Sequence, residues 1–261
     1  MLCRKGQKTF KMKNELINYC LRLGDSSLIL GQRLAEWCSK GPMLEEDIAL
    51  TNISLDFFGQ SRMLYSYIAE LKGGDETEDT VAFRRNEREF YNILLAERPN
   101  GHFGDTIVRS FFVDAFNFHH YSKLKESKDS VIAAFAEKSL KEVVYHLRHS
   151  SEWVIRLGDG TAESKLKVQT SLNELWSYTG DMFDMNDGDH LLKTEGIAVD
   201  LEEIKPLWNA TIESVLKRGK LDLPESKYMQ KGSRKAMHSE YLGHLLCEMQ
   251  YIQRAYPNSQ W

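Results

Sequence analysis

Two stretches decide the fold: residues 53–62, ISLDFFGQSR, and residues 141–150, KEVVYHLRHS. Apolar residues recur in and around both at steps of three and four, a spacing that fits an α-helix and not a strand. We therefore predict two helices, each with one buried face.

The buried faces of these two helices carry an altered metal-binding pattern. A four-helix bundle that holds two iron ions supplies Glu-x-x-His from each of two helices and a carboxylate from each of the others. The matching positions here are Phe57 and Gln60 in the first helix, and Val143 and His146 in the second. Both glutamates and one histidine are replaced. The sequence therefore predicts the bundle without most of its metal ligands.

The same periodicity, with caps and glycine stops, predicts helices along most of the chain. The expected helices are Asn14–Cys38, Glu45–Lys72, Val81–Glu97, Asp105–Lys125, Ser130–Leu157, Thr161–Phe183, Asp200–Arg218 and Ser239–Ala255. Gly73-Gly74 stops the second, and Gly158 is expected to end the fifth in a left-handed conformation. No run alternates with a period of two. The prediction is an all-α four-helix bundle with additional C-terminal helices.

Composition limits the other possibilities. The 261 residues carry a formal charge of −4 and contain no long apolar run, which disfavours nucleic-acid binding and a membrane span. The four cysteines are scattered, as is typical of reduced thiols in a cytoplasmic protein. Residues 1–11 are expected to form a disordered tail, with Met12 a possible start, and residues 12–261 a single domain.

Polar residues interrupt the apolar stripes. Gln60, Asp114 and His146 occupy such positions, and a buried polar group needs a partner, a metal or a shifted pKa. Counted from the turns, Asp114 and His146 lie within about one helical turn of the same height, and Asp25 lies opposite Phe57. A possible site therefore contains Asp25, Gln60, Asp114 and His146.

This site is a poor donor set for two irons, which generally take four carboxylates and two imidazoles. Phe57 and Val143 have no donor atom, and the neutral amide of Gln60 is a weak substitute for imidazole. We therefore predict no catalytic residue, no metal-binding or cofactor-binding residue and no cofactor. The polar residues would form a hydrogen-bonded remnant. Glu142 lies four residues before His146, a spacing that could orient the imidazole but is unspecific as a catalytic dyad.

Two further features carry weaker signals. Residues 183–189, FDMNDGD, resemble a calcium loop, but Phe183 stands where an aspartate is required, so we expect a turn. A basic cluster precedes the last helix, and it is typical of a solvated loop, with an anionic ligand as the alternative. Its members are Lys227, Lys231, Arg234 and Lys235.

Several longer motifs are specific when taken together. They are LRLGD at 21–25, QRLAEW at 32–37, NISLD at 52–56 with Gly59-Gln60, RPNG at 98–101, KE at 141–142 with YHLR at 145–148, EGIAV at 195–199, HSEYLG at 238–243, and EMQY at 248–251 through to Trp261. In this set, from about Met12 to Trp261, the chain resembles the PaaC family, which supplies one subunit of the bacterial ring-1,2-phenylacetyl-CoA epoxidase, a multicomponent oxygenase of phenylacetate breakdown.

The resemblance implies a ferritin-like fold and a set of partners. These would be a homologous catalytic di-iron subunit (PaaA-like), which binds the CoA thioester, and other components (PaaB-like and a reductase). It also implies that the two Glu-x-x-His motifs of the PaaA-like partner fall on Phe57/Gln60 and Val143/His146, and its helix-three aspartate on Asp114. A PaaC-type chain itself would be a structural partner.

Three functional hypotheses follow. The first is a structural, non-catalytic subunit that supports the di-iron subunit. The second is a divergent ferritin-like oxygenase acting on its own, with one metal at Asp25, Asp114 and His146. The third is a helical protein that binds an acyl-CoA through the basic loop.

Overall fold

The computed structural model describes residues 2–225, 228–257 and 259, without the side chains of residues 2–9. This part of the chain contains ten α-helices, three short 3-10 helices and no strand. The α-helices are α1 Leu2–Ala35, α2 Leu44–Lys72, α3 Glu78–Phe83, α4 Leu94–Glu97, α5 Phe103–Leu124, α6 Ser130–Gly158, α7 Ala162–Trp176, α8 Asp187–Thr194, α9 Leu201–Arg218 and α10 Glu240–Ala255. The 3-10 helices are Glu87–Glu89, Ser177–Phe183 and Ser233–Lys235.

Four long helices form the centre of the molecule. Helices α1 and α2 pack as one pair, α5 and α6 as a second, and α2 joins the pairs by packing against α6. Helices α7 and α9 cover α5 and α6, while α8 lies on α1 and α10 lies on α3. The predicted all-α, ferritin-like bundle with additional C-terminal helices is confirmed. Within the described residues, no helix is both long enough and apolar enough to cross a bilayer.

Local chemistry explains where the two site-bearing helices begin and end. Helix α2 has three acidic residues in its first turn, which stabilise the positive end of the helix dipole. It stops at Gly73, whose φ of 76° lies in the region that favours glycine. Helix α6 is capped by Asp129, whose carboxylate accepts hydrogen bonds from the backbone N–H groups of Val131 and Ile132.

The predicted helix over residues 81–97 is wrong. The chain there forms α3, a 3-10 helix and α4, separated by extended segments. The reason is tertiary, because the backbone N–H of Tyr91 donates to Asp25 and that of Ile93 donates to Ser26 Oγ. These bonds to α1 replace the bonds of a continuous helix.

Three smaller predictions also need correction. Helix α1 begins at Leu2 and not at Asn14, so the backbone of residues 2–11 continues the helix. The division into a tail at 1–11 and one domain at 12–261 stays a prediction. The acidic stretch after Phe183 leads into α8, which the sequence reading missed. Gly158 has no left-handed φ; a Cβ there would lie 2.4 Å from the carbonyl oxygen of Gly219, which accounts for the glycine.

Candidate functional site

His146 lies at the centre of the candidate site, on the α6 face that meets α2. Its side chain is fully buried, and its Nε2 lies 2.9 Å from Asp56 Oδ2 on α2. A carboxylate accepts hydrogen bonds, so Nε2 carries the proton and donates. The ring also packs on Phe57, with 5.2 Å between the ring centroids. His146 is therefore held by one carboxylate and one aromatic side chain.

Gln60 makes a second bridge between α2 and α6. Its Nε2 donates to Glu142 Oε2 over 3.0 Å. Glu142 has the spacing to orient His146, but the two helices place Gln60 next to Glu142 and Asp56 next to His146. Each of these polar side chains of α6 thus pairs across the interface with α2 and not along its own helix.

Asp114 comes from α5 and is almost completely buried. Its Oδ2 accepts a hydrogen bond of 2.8 Å from Ser150 Oγ, one helical turn after His146 on α6. Burial raises the pKa of Asp114 to about 6, although the charge of His146 and the bond from Ser150 oppose the shift. Asp114 and His146 were predicted to lie at a similar height in the bundle, and this geometry is consistent with that. The side chain that donates a hydrogen bond to Asp114 is Ser150.

Asp25 belongs to a different cluster. Its carboxylate accepts from two nitrogens of Arg85, from the hydroxyl of Tyr65 at 2.5 Å and from the backbone N–H of Tyr91 at 2.8 Å. The Arg85 guanidinium also lies over the ring of Phe90, 4.1 Å from its centroid. No partner of Asp25 in the described part of the chain belongs to the proposed metal site.

The register of α1 on α2 explains why Asp25 was misplaced. Gly24 lies against Tyr65, and Gly31 lies against Phe58, where larger side chains would collide with these rings. This register places Asp25 near Tyr65, about two helical turns from Phe57. Counting residues from the Gly41-Pro42 turn placed Asp25 opposite Phe57. This count could not predict the offset between Asp25 and Phe57, because it ignores the path of residues 36–43 between the two helices.

The two apolar replacements fill the core. Phe57 is 2% exposed and Val143 is fully buried. Around them, Gln60 Oε1, Asp114 Oδ1 and His146 Nδ1 are buried atoms without a hydrogen-bond partner among the described residues. One carboxylate oxygen, one imidazole nitrogen and one amide oxygen do not match the donor set of a di-iron centre.

Metal-binding side chains are dispersed in the described part of the chain. Among the residues that the structure describes, no group of three or more His, Cys, Asp and Glu side chains could hold a metal ion. The side chains at the site therefore do not fit the two irons that this type of bundle can carry.

Sequence reasoning missed three partners at this interface and near it. Asp56, next to Phe57, pairs with His146, while Glu46, in the first turn of α2, pairs with His149 over 2.8 Å. Both carboxylates lie on the side of α2 that meets α6, so helical periodicity could have identified them. Arg85 could not be found this way, because it lies in the irregular segment after α3.

Two cations of the basic loop are paired with carboxylates. Lys231 pairs with Asp184, and Arg234 pairs with Asp189. Asp181 Oδ1 accepts from the backbone N–H groups of Gly232 and Ser233. Lys227 lies outside the described residues. These pairs remove much of the positive charge that an anionic acyl-CoA would require, which weakens the third hypothesis.

The family follows from a match along almost the whole chain. A family model described as "Phenylacetic acid catabolic protein" matches residues 3–261. The chain belongs to the phenylacetic acid catabolic protein family. It is 47% identical over 248 residues to the C subunit of the 1,2-phenylacetyl-CoA epoxidase of Escherichia coli (strain K12). That match covers 95% of this chain and all of the relative, and the predicted resemblance is confirmed.

Proposed function

We propose that the chain is the structural, non-catalytic subunit of a multicomponent phenylacetyl-CoA epoxidase in phenylacetate breakdown. The name of the Escherichia coli relative supports the assignment to the C subunit of such an enzyme. The observation that carries the non-catalytic role is the filling of two metal-ligand positions by Phe57 and Val143 in the core.

The remaining polar groups support the same role. His146 is paired with Asp56, Gln60 with Glu142, and Asp114 with Ser150. Each pair ties two helices of the bundle together by one hydrogen bond, which typically contributes about 0.5–1.5 kcal/mol to stability. The residues that elsewhere would hold a metal thus hold α2, α5 and α6 in one arrangement.

The partner in this proposal is a homologous di-iron subunit that binds the CoA thioester and carries out the oxygenation. A PaaB-like component and a reductase would complete the enzyme. This chain would supply a rigid helical surface that keeps its di-iron partner in the active arrangement. It would form no bond to substrate or oxygen itself.

Reconstitution tests the proposal. Oxygenation of phenylacetyl-CoA is measured with reductase, NADPH and oxygen, first with this chain alone, then with the di-iron subunit by itself, then with all components. We expect no product from this chain alone, weak or no product without it, and full activity only with all components. Product from the isolated chain would contradict the proposal and favour the divergent oxygenase.

Two matched variants separate a structural histidine from a catalytic one. His146→Gln and His149→Gln each remove a histidine of α6 that pairs with a carboxylate of α2. Under the proposal, any loss of activity in either variant follows the loss of assembled complex, measured by size-exclusion chromatography. A fully assembled His146→Gln complex without activity, beside an active His149→Gln complex, would assign catalysis to His146.

A further inference from the structure

Two motifs far apart in the sequence meet in a buried cluster outside the candidate site. Glu97, at the end of α4, is fully buried, and its Oε2 accepts from the backbone N–H of Ser239 at 2.7 Å and from its hydroxyl at 2.6 Å. Its Oε1 accepts from Asn92 Nδ2 at 2.9 Å and lies 2.6 Å from His238 Nδ1. One carboxylate therefore binds two consecutive residues of the C-terminal segment.

The ring of His238 faces an acceptor on each side. Its Nε2 lies 2.8 Å from the carbonyl oxygen of Phe90, and its Nδ1 faces the Glu97 carboxylate. A carbonyl oxygen can only accept, so Nε2 carries a proton, and a second proton must lie between Nδ1 and the carboxylate. A neutral imidazole has only one N–H. A neutral imidazole beside an ionised carboxylate would hold one proton in all. The side chains of His238 and Glu97, which are 1% and 0% exposed, therefore hold two between them.

This pair lies at the start of the last helix. Ser239 is the residue that precedes α10. Further along α10, Gln250 Nε2 donates to the carbonyl oxygens of Ala82 and Arg85, and Arg254 also donates to that of Arg85. The other end of the segment is thus held by neutral acceptors, whereas its beginning is held by the contact between His238 and the Glu97 carboxylate.

We propose that His238 and Glu97 form a proton-dependent latch that docks α10 on the bundle. With the proton present, the imidazolium joins the Glu97 carboxylate to the Phe90 carbonyl. When the proton leaves, one nitrogen loses its hydrogen and faces an acceptor with its lone pair, so that bond is lost and the docking of α10 weakens, while the bonds from Ser239 to Glu97 remain. The latch does not depend on the proposed structural role of the chain, and it adds a pH-dependent element to the fold.

The charges around His238 favour the protonated state. Burial lowers the pKa of His238, but the hydrogen bond and charge of Glu97, the bond to Phe90 and the charge of Glu87 together raise it above the ordinary value. Arg33 on α1 reaches the same cluster, where it donates to the backbone oxygen of Glu97. Because the folded-state pKa is raised, docking is strongest below about pH 6.5 and weakens as the pH rises through the folded-state pKa.

Hydrogen exchange of the full chain tests the latch. Amide protection of α10, corrected for the intrinsic effect of pH on exchange, is measured from about pH 6 to about pH 9. We expect protection to fall with rising pH in the wild type and in His244→Gln, whose histidine is exposed on the same helix. In His238→Gln, protection should be low and independent of pH.

A second measurement avoids the risk that the variant fails to fold. Nuclear magnetic resonance of wild-type chain with 15N-labelled histidine reports which ring nitrogens carry protons. We expect both nitrogens of His238 to be protonated at about pH 6.5 and to titrate above the ordinary value for histidine. A neutral His238 ring at this pH, or α10 protection in the wild type that does not change with pH, would overturn the latch.

Discussion

Asp114→Asn should stabilise the chain at neutral pH relative to the wild type, even though it removes a charge from a polar cluster. The carboxyl group is 2% exposed, and burial raises its pKa from 3.8 to about 6. The folded state therefore binds its proton more tightly than the unfolded chain does. Stability consequently falls as the pH rises from about 4 to about 6.

The size of this effect follows from the pKa difference. A rise of about two units in the pKa of Asp114 lowers the free energy of unfolding of the wild type by about 3 kcal/mol at pH 7. About 2 kcal/mol of this loss develops between about pH 4.5 and about pH 7.5. Asparagine keeps the shape of the side chain and an oxygen that can accept from Ser150, and it cannot ionise. The free energy of unfolding of Asp114→Asn, minus that of the wild type, should therefore grow by about 2 kcal/mol over this range.

Urea unfolding of both proteins at the two pH values measures this difference. Asp25→Asn is the matched control, because Asp25 is equally buried but its charge is paired with Arg85. That variant should lose about 3–5 kcal/mol, since an unpaired guanidinium is left in the core. If Asp114→Asn is instead destabilised by an amount that grows with pH, Asp114 is an ionised, paired carboxylate in the folded chain, which would contradict a raised pKa.

Two further sets of variants test the core. The triple variant Phe57→Glu, Gln60→His and Val143→Glu, which restores both Glu-x-x-His motifs, should unfold at a clearly lower temperature than the wild type. It places two carboxylates at positions that are 2% and 0% exposed, at a cost of several kcal/mol. A thermal unfolding temperature equal to that of the wild type would mean that this core tolerates charge. Arg85→Met should lower the free energy of unfolding in urea by about 3–5 kcal/mol, because it leaves Asp25 unpaired. The double variant Asp25→Leu with Arg85→Met should recover part of this loss. Equal losses in both variants would show that the ion pair is not the source of the effect.

The fold was predictable where periodicity alone decides it. The stripes around Phe57 and Val143 predicted α2 and α6, and the stops at Gly73-Gly74 and near Gly158 fixed their C-terminal ends within about a residue. The irregular segment after α3 was not predictable. The backbone N–H of Tyr91 donates a hydrogen bond to Asp25 in α1, and the sequence around Tyr91 contains no pattern that indicates a contact with a distant helix.

Helical periodicity also predicted part of the candidate site. The side chains of Gln60, Asp114 and His146 are buried as their positions in the stripes predict. Periodicity can place Asp56 and Ser150 on the faces where the helices meet. It does not say which residue each one contacts across the interface, so the pairs with His146 and Asp114 were missed. Asp25 was misplaced because the packing of Gly24 against Tyr65 sets the register of α1, and distance from the turn does not.

The iron content of the isolated chain tests the non-catalytic role most directly. The chain is expressed alone in iron-rich medium, purified without chelators, and analysed for iron and for protein concentration, with the proposed di-iron partner prepared in parallel. Because Phe57 and Val143 fill two ligand positions and Asp25 is paired with Arg85, we predict far less than one iron per chain here and about two in the parallel sample. Two irons per molecule of this chain, with the absorption band of an oxo-bridged pair, would contradict the account.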